Sequence, residues 1–119
     1  MAAPSTIPAV AIERYDALIA ACPGVERRGA SMPYTSMNGH MFSFLMPDGT
    51  LALRLPSPER ERFMTDHGGD IVEQHGRVLK EYVAIPTDLF ARADALAPQF
   101  ARSRDHVASL KPAPSRRKG

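Results

Sequence analysis

The sequence has few of the residues that mark secreted, disulfide-stabilised or membrane-spanning proteins. Among its 119 residues there is one cysteine, Cys22, and there is no tryptophan. One cysteine cannot form a disulfide within the chain, and no charged segment followed by a long apolar run opens the sequence. The apolar runs are also far shorter than the ~20 residues that a membrane-spanning helix needs. We therefore expect a cytoplasmic protein with no membrane span.

Most of the chain also has no excess of basic residues, although the formal net charge of the whole chain is +2. Four of the 15 Lys and Arg residues lie in the last nine positions, so residues 1–110 carry 11 basic and 13 acidic residues. A groove for nucleic acid needs basic residues clustered on one folded surface. The distribution predicts a folded domain over residues 1–112 and a flexible basic tail over residues 113–119. Nucleic-acid binding by this tail would be weak and sensitive to salt.

The composition, 44% hydrophobic and 24% charged, is typical of one soluble globular domain. Apolar residues at three-and-four spacing predict a first helix that ends at residue 22, before a Pro-Gly pair. A second helix is expected to begin near Ser57 and to end at the His-Gly-Gly that follows. Pro98 cannot lie deep inside a long helix. A turn over residues 87–92 is therefore expected before a final helix that begins near Asp94.

Strands are predicted between these helices. We expect a first strand over residues 25–31, a loop over residues 31–39, and the two arms of a hairpin within residues 39–56. A brief strand near position 71 and a longer one over residues 78–85 follow the second helix. The order is helix, three strands, helix, two strands, helix. It indicates an α+β fold, a two-layer α-β(3)-α-β(2)-α domain with an antiparallel sheet packed against helices.

The hairpin "GHMFSFLMPDGTLALRLP" is the clearest local signal. If the Asp-Gly pair at positions 48 and 49 forms a two-residue turn, the register of the two arms is fixed. Three large apolar pairs would then share the core face of the sheet, and the opposite face would be the more polar, solvated one. The predicted pairs are Met46 with Leu51, Phe44 with Leu53, and Phe42 with Leu55.

Several polar residues could form a site. The stretch "VEQHGRVLKEYVAIP" carries Glu73, His75 and Glu81, and His40 lies upstream. These side chains are acceptable metal ligands, and an imidazole beside a carboxylate can act as an acid or base. No H-E-x-x-H pair, nucleophile elbow or phosphate loop accompanies them. They are interpreted either as a small-molecule or metal-binding cluster or as surface and turn residues, and no catalytic residue, resident metal or cofactor is predicted.

Glu81 raises a physical question of its own. Alternation in "VLKEYVAI" would place it on one face with Leu79 and Val83. An unpaired carboxylate among apolar residues is costly. We therefore expect Glu81 either near a sheet edge with access to water or buried beside a cation or hydrogen-bond donor.

Methionines cluster around the hairpin, and Tyr34 is an aromatic residue in the loop before it. Methionine serves either as core filler or as an adaptable partner surface. Under the second interpretation, Tyr34, Met37 and Met41 form a possible interaction surface. Cys22 lies at the end of the first apolar stripe and is expected to be a small core residue.

Several segments resemble the N-terminal domain of the TfoX (Sxy) competence-regulator family. They are "CPGVERR", "NGHMFSFL", "GTLALRLP", "HGRVLKEYVAIP" and "ASLKP", within residues 11–112. The resemblance implies the same element order, a link to transcriptional control of DNA uptake, and no catalytic residues. The sequence differs in having "RRGASMPYTSM" where members commonly show an FGG-like stretch, and in having no segment for the regulators' C-terminal domain.

Together these features predict a non-enzymatic, stand-alone TfoX-like module that acts in regulation through protein contacts. Its partner would be an unknown protein or a second copy in a homodimer, formed through a sheet edge or the methionine-rich hairpin. Two alternatives remain: weak nucleic-acid binding in transcription, and small-molecule or metal binding around His40, Glu73, His75 and Glu81.

Overall fold

The protein has an α+β fold, as predicted. Its structure is a computed structural model that describes residues 7–29, 32–74 and 76–111. The tail over residues 113–119 therefore lies outside the described residues. Within the described part, the elements follow the order α1 (Ala9–Ala20), β1 (Tyr34–Met37), β2 (His40–Leu45), β3 (Leu51–Arg54), α2 (Ser57–His67), β4 (Asp70–Gln74), β5 (Arg77–Ala84), α3 (Thr87–Phe90) and α4 (Ala93–Ala108).

The five strands form one antiparallel sheet in the order β1-β2-β3-β5-β4. All four helices contribute to one hydrophobic core with the sheet, and α4 contacts β1, β2 and β3. Tyr15 and Leu18 of α1 and Phe100 of α4 are fully buried there. Phe100 packs against Phe42 with 5.3 Å between ring centroids. None of the described helices is long and apolar enough to span a bilayer.

The β2–β3 hairpin exists, but its predicted register is wrong by one residue. Leu45 pairs with Leu51 and Phe44 with Ala52. The loop is longer than a two-residue turn because the Met46 N–H donates to the Thr50 oxygen at 2.8 Å. Gly49 lies within this loop at φ +92°, a conformation that glycine adopts without steric cost.

The shift exchanges the faces of β2 around Ser43 and Phe44, but not those of β3. Phe42, Leu51 and Leu53 lie in the core beneath the helices, as predicted. Leu45 also lies there and Ser43 is fully buried, although both were expected on the solvated face. Phe44, expected in that core, lies instead in a second apolar cluster.

The first strand also lies elsewhere than predicted. β1 falls in the expected loop, whereas the described part of residues 25–31 contributes one isolated bridge, from Arg28 to Tyr34. The cause is the Asn-Gly pair at positions 38 and 39. Asn38 at φ 61° and Gly39 at φ 83° make a tight hairpin turn, and Met37 pairs with His40 across it. This local hairpin brings residues 34–37 beside β2.

The alternation predicted for β5 is interrupted. Ile71 pairs with Val83 and Val72 with Leu79, so the register shifts between them. As a result Leu79 packs in the second apolar cluster, whereas Val83 lies in the main core. The prediction that Leu79 and Val83 share one face is therefore wrong.

The region around Pro98 agrees with the sequence. The four-residue helix α3 precedes α4, which begins at Ala93, one residue before the predicted start. Pro98 is the sixth residue of α4, so the helix continues through a proline near its beginning. Phe100 and Val107 of this helix are fully buried.

Candidate functional site

The sheet presents a second apolar cluster, here called the open sheet face. Its centre is formed by three buried residues, Phe44, Ala52 and Val72. No helical side chain among the described residues belongs to this cluster, so the helices leave it uncovered. Around the centre lie six partly buried residues: Tyr34, Met41, Met46, Leu79, Tyr82 and Ala84.

Contacts between neighbouring strands hold the open sheet face in shape. The Phe44 and Tyr82 rings meet edge to face with 5.4 Å between centroids. The Tyr82 hydroxyl donates to the Met41 carbonyl oxygen at 2.7 Å. Burial raises the pKa of Tyr82 to about 12, although nearby Arg54 opposes the shift. The face therefore presents a fixed, uncharged surface with its buried hydroxyl already hydrogen-bonded.

The three residues of the expected interaction surface lie on two sides of the sheet. Tyr34 and Met41 belong to the open sheet face. Met37 instead packs against the main core beneath the helices. The sequence shows that these three residues lie close together in the chain. It does not show which side of the sheet each one faces, because that depends on the register shift between Thr35 and Ser36 in β1.

Two polar residues at the β1–β2 turn contact the end of α4. The His40 Nε2 donates to the Lys111 carbonyl oxygen at 2.8 Å. The Asn38 side-chain amide donates to the Leu110 carbonyl oxygen at 2.7 Å. Carbonyl groups at a helix C-terminus lack partners within the helix. His40 and Asn38 therefore fasten the hairpin turn to this end of α4.

The other described members of the predicted polar cluster, Glu73 and Glu81, lie on strands that are not adjacent to β2. Glu81 is 59% exposed and pairs with Arg54, whose Nη2 lies 2.5 Å from its Oε1. Glu73 is exposed on the edge strand β4, and His75 lies outside the described residues. In the described ranges no three His, Cys, Asp or Glu residues are grouped so that they could hold a metal ion. Glu81 thus has access to water, which is the first of the two expected environments, and it also lies beside a cation without being buried.

A chain of buried hydroxyl groups links α1 to the sheet. Tyr15 and Ser43 share a hydrogen bond of 2.6 Å, and Ser43 also bonds to Thr35. All three residues are fully buried. Burial raises the pKa of Tyr15 to about 12, against the opposing effect of the hydrogen bonds. The chain satisfies polar groups inside the core and positions α1 on β1 and β2.

Cys22 is buried, with 3% exposure. The Arg104 Nη1 lies 3.2 Å from its Sγ and also donates to the Pro23 carbonyl oxygen at 3.1 Å. Burial raises the pKa of the thiol, while the Arg104 charge opposes this shift. Arg104 is 82 residues away in the sequence, so local context gave no sign of it.

The chain matches no model of a known protein family. It also has no significantly similar relative among curated proteins.

Proposed function

We propose that this chain is a non-enzymatic, TfoX-like regulatory module that acts through protein contacts, and that a second copy of the chain binds its open sheet face. One observation carries the proposal. The helices cover one side of the sheet, and the other side presents an apolar cluster without a covering element among the described residues. The TfoX-like segments support a regulatory role in the cytoplasm.

The chemistry of the open sheet face suits a second copy. Tyrosine and methionine, which surround its centre, are enriched where proteins meet. Because the nine side chains of the cluster are uncharged, two copies can face each other without opposing like charges. The Tyr82 hydroxyl is already bonded to Met41, so covering it leaves no unpaired donor. Two such faces would pack as a sheet sandwich, about 10 Å apart, around a two-fold axis.

Edge pairing is the less favourable way for two copies to associate. β4 is one edge strand, and it carries the exposed residues Asp70 and Glu73. Pairing two β4 strands would bring acidic side chains together. At the other edge, Arg28 already pairs with Tyr34 at the beginning of β1. The open sheet face has neither obstacle.

Sedimentation equilibrium of the full chain over a range of concentrations tests this proposal. We expect a reversible monomer–dimer equilibrium. Met41→Lys should weaken dimerisation on the order of 100-fold, since it places two like charges in one symmetric interface. Val10→Lys is the matched control, because Val10 is an apolar residue that is 48% exposed on α1.

Circular dichroism verifies that each variant is folded, and Tyr34→Lys serves as a second probe of the face. A chain that stays monomeric at every concentration would contradict the proposal. So would a dimer that Met41→Lys and Val10→Lys weaken equally.

A further inference from the structure

A pocket of about 350 Å³ lies where the end of β3, the beginning of α2, the middle of β5 and the end of α4 meet. This volume is within the range of ligand sites, roughly 300–1,000 Å³. We propose that the pocket binds a small organic phosphate monoester, with the phosphate held by basic side chains and the carbon skeleton packed against apolar ones. The site is separate from the open sheet face.

The charges around the pocket match a dianion. Arg54, Arg60 and Lys80 line it together with one carboxylate, that of Glu81. The formal excess is two positive charges. A phosphate monoester carries about −1.5 to −2 charges at neutral pH. A monocarboxylate would leave part of this excess uncompensated.

Arg54 has unused hydrogen-bonding capacity. Its side chain is 18% exposed, and its Nη2 pairs with Glu81. Its Nε is buried and has no hydrogen-bond partner in the described structure. A guanidinium group has five N–H donors that suit the oxygens of a phosphate. Glu81 orients Arg54 and leaves further donors for a ligand.

Arg60 is held at the same pocket by the backbone. Its Nη1 donates to the Leu55 carbonyl oxygen at 3.1 Å, which fixes the guanidinium group close to the end of β3. The pocket also includes Pro56 and Ser57 at the beginning of α2. No side chain caps this helix, so its positive end adds to the attraction for an anion.

The remaining lining favours an organic ester over inorganic phosphate. Leu55, Pro56 and Leu110 supply apolar surface beside the basic residues. A carbon skeleton in contact with them would be removed from water, which stabilises the complex. The pocket thus combines an anion-binding side with an apolar side.

Titration of the isotopically labelled full chain with phenyl phosphate, followed by backbone amide chemical shifts, tests the proposal. We expect saturable shifts in residues 80–81, in residues 106–110, and in residues 54–60 apart from the two prolines in that range, which have no amide proton. Phenol, which has the ring without the phosphate, should cause none, and inorganic phosphate should bind more weakly. Arg60→Gln should raise the dissociation constant about tenfold, the value of one charge-assisted hydrogen bond.

The matched control is Arg62→Gln, an exposed arginine on the same helix that is not part of this pocket. Lys80→Gln, at an exposed position, should also weaken binding without disturbing the fold. The amide spectrum reports folding for each variant. Three outcomes would overturn the proposal: no saturable shift with phenyl phosphate, equal losses in Arg60→Gln and Arg62→Gln, or equal affinity for inorganic phosphate. In the first of these cases, saturation of the same amides by single-stranded DNA would assign the pocket to nucleic-acid phosphates.

Discussion

At the scale of the residue, the clearest features are polar groups that the core encloses. Ser43 bonds to both Tyr15 and Thr35, and each of the three is fully buried. An enclosed hydroxyl group without a partner costs about 1–3 kcal/mol, so the three groups depend on one another. Ser43 is the middle one of these three hydrogen-bonded residues, so removal of its hydroxyl group affects both Tyr15 and Thr35.

Ser43→Ala should therefore lower the free energy of unfolding by about 1–3 kcal/mol, because it removes a bond from Tyr15 and another from Thr35. Denaturant unfolding measures this change. Ser36→Ala, on the same sheet at a partly exposed position of β1, is the control and should change stability by less than about 0.5 kcal/mol. Equal stability of the two variants would show that the buried hydroxyl chain does not stabilise the core.

The buried tyrosines should also make the fold sensitive to alkaline pH. Burial raises the pKa values of Tyr15 and Tyr82 to about 12. The unfolded chain ionises its tyrosines near pH 10, so it loses protons that the folded chain keeps. The stabilisation from the protonated tyrosines is complete below about pH 10 and is lost as the pH rises to about 12.

Unfolding measured at intervals across this range should show stability falling with pH, and tyrosinate absorbance should appear together with unfolding. The steepness of this fall depends on how many more protons the folded chain binds than the unfolded chain. In Tyr82→Phe this number should be smaller by about one. A pH dependence identical to that of the unchanged chain would contradict the assignment to Tyr82.

At the scale of the element, the β1–β2 hairpin determines how α4 ends. Its turn needs a positive φ at Asn38, and the Asn38 side chain then reaches the Leu110 carbonyl oxygen. His40, the first residue of β2, contacts Lys111 in the same way. A short local turn therefore stabilises the C-terminal end of a helix some 70 residues later in the chain.

Two substitutions separate the backbone and side-chain roles of Asn38. Asn38→Gly keeps the positive φ and loses the hydrogen bonds, which should cost about 1 kcal/mol. Asn38→Ala loses both and should cost about 1–2 kcal/mol more. Both should speed hydrogen exchange of amides at the end of α4 more than at its centre. An equal increase in exchange rate along the whole of α4 would argue against this contact.

At the scale of the whole molecule, the layers determine which surface is left for partners. Four helices and the sheet enclose one core, and the second cluster lies across the sheet from it. The predicted dimer follows from this arrangement, since each copy supplies the missing layer for the other. The pocket that we propose binds a phosphate monoester lies where β3, α2, β5 and α4 meet, so dimerisation and ligand binding can be tested independently.

Local signals in the sequence were sufficient to predict the type, number and order of most elements. Its periodicity and its Pro and Gly residues are local signals, and the α+β class follows from them. It also required a water-exposed or paired environment for Glu81, and the structure pairs Glu81 with Arg54.

The register, the faces of the sheet and the contacts between distant residues depend on how the whole chain packs, and local sequence patterns did not predict them. One extra residue in the β2–β3 loop moved Phe44 to the open sheet face, and the irregular β4–β5 pairing moved Leu79 there. Arg54 meets Glu81, and Arg104 meets Cys22, because the strand order and the position of α4 bring them together. The physical reason is that alternation along a strand is local, whereas the side it faces depends on turn length and on the packing of neighbouring strands.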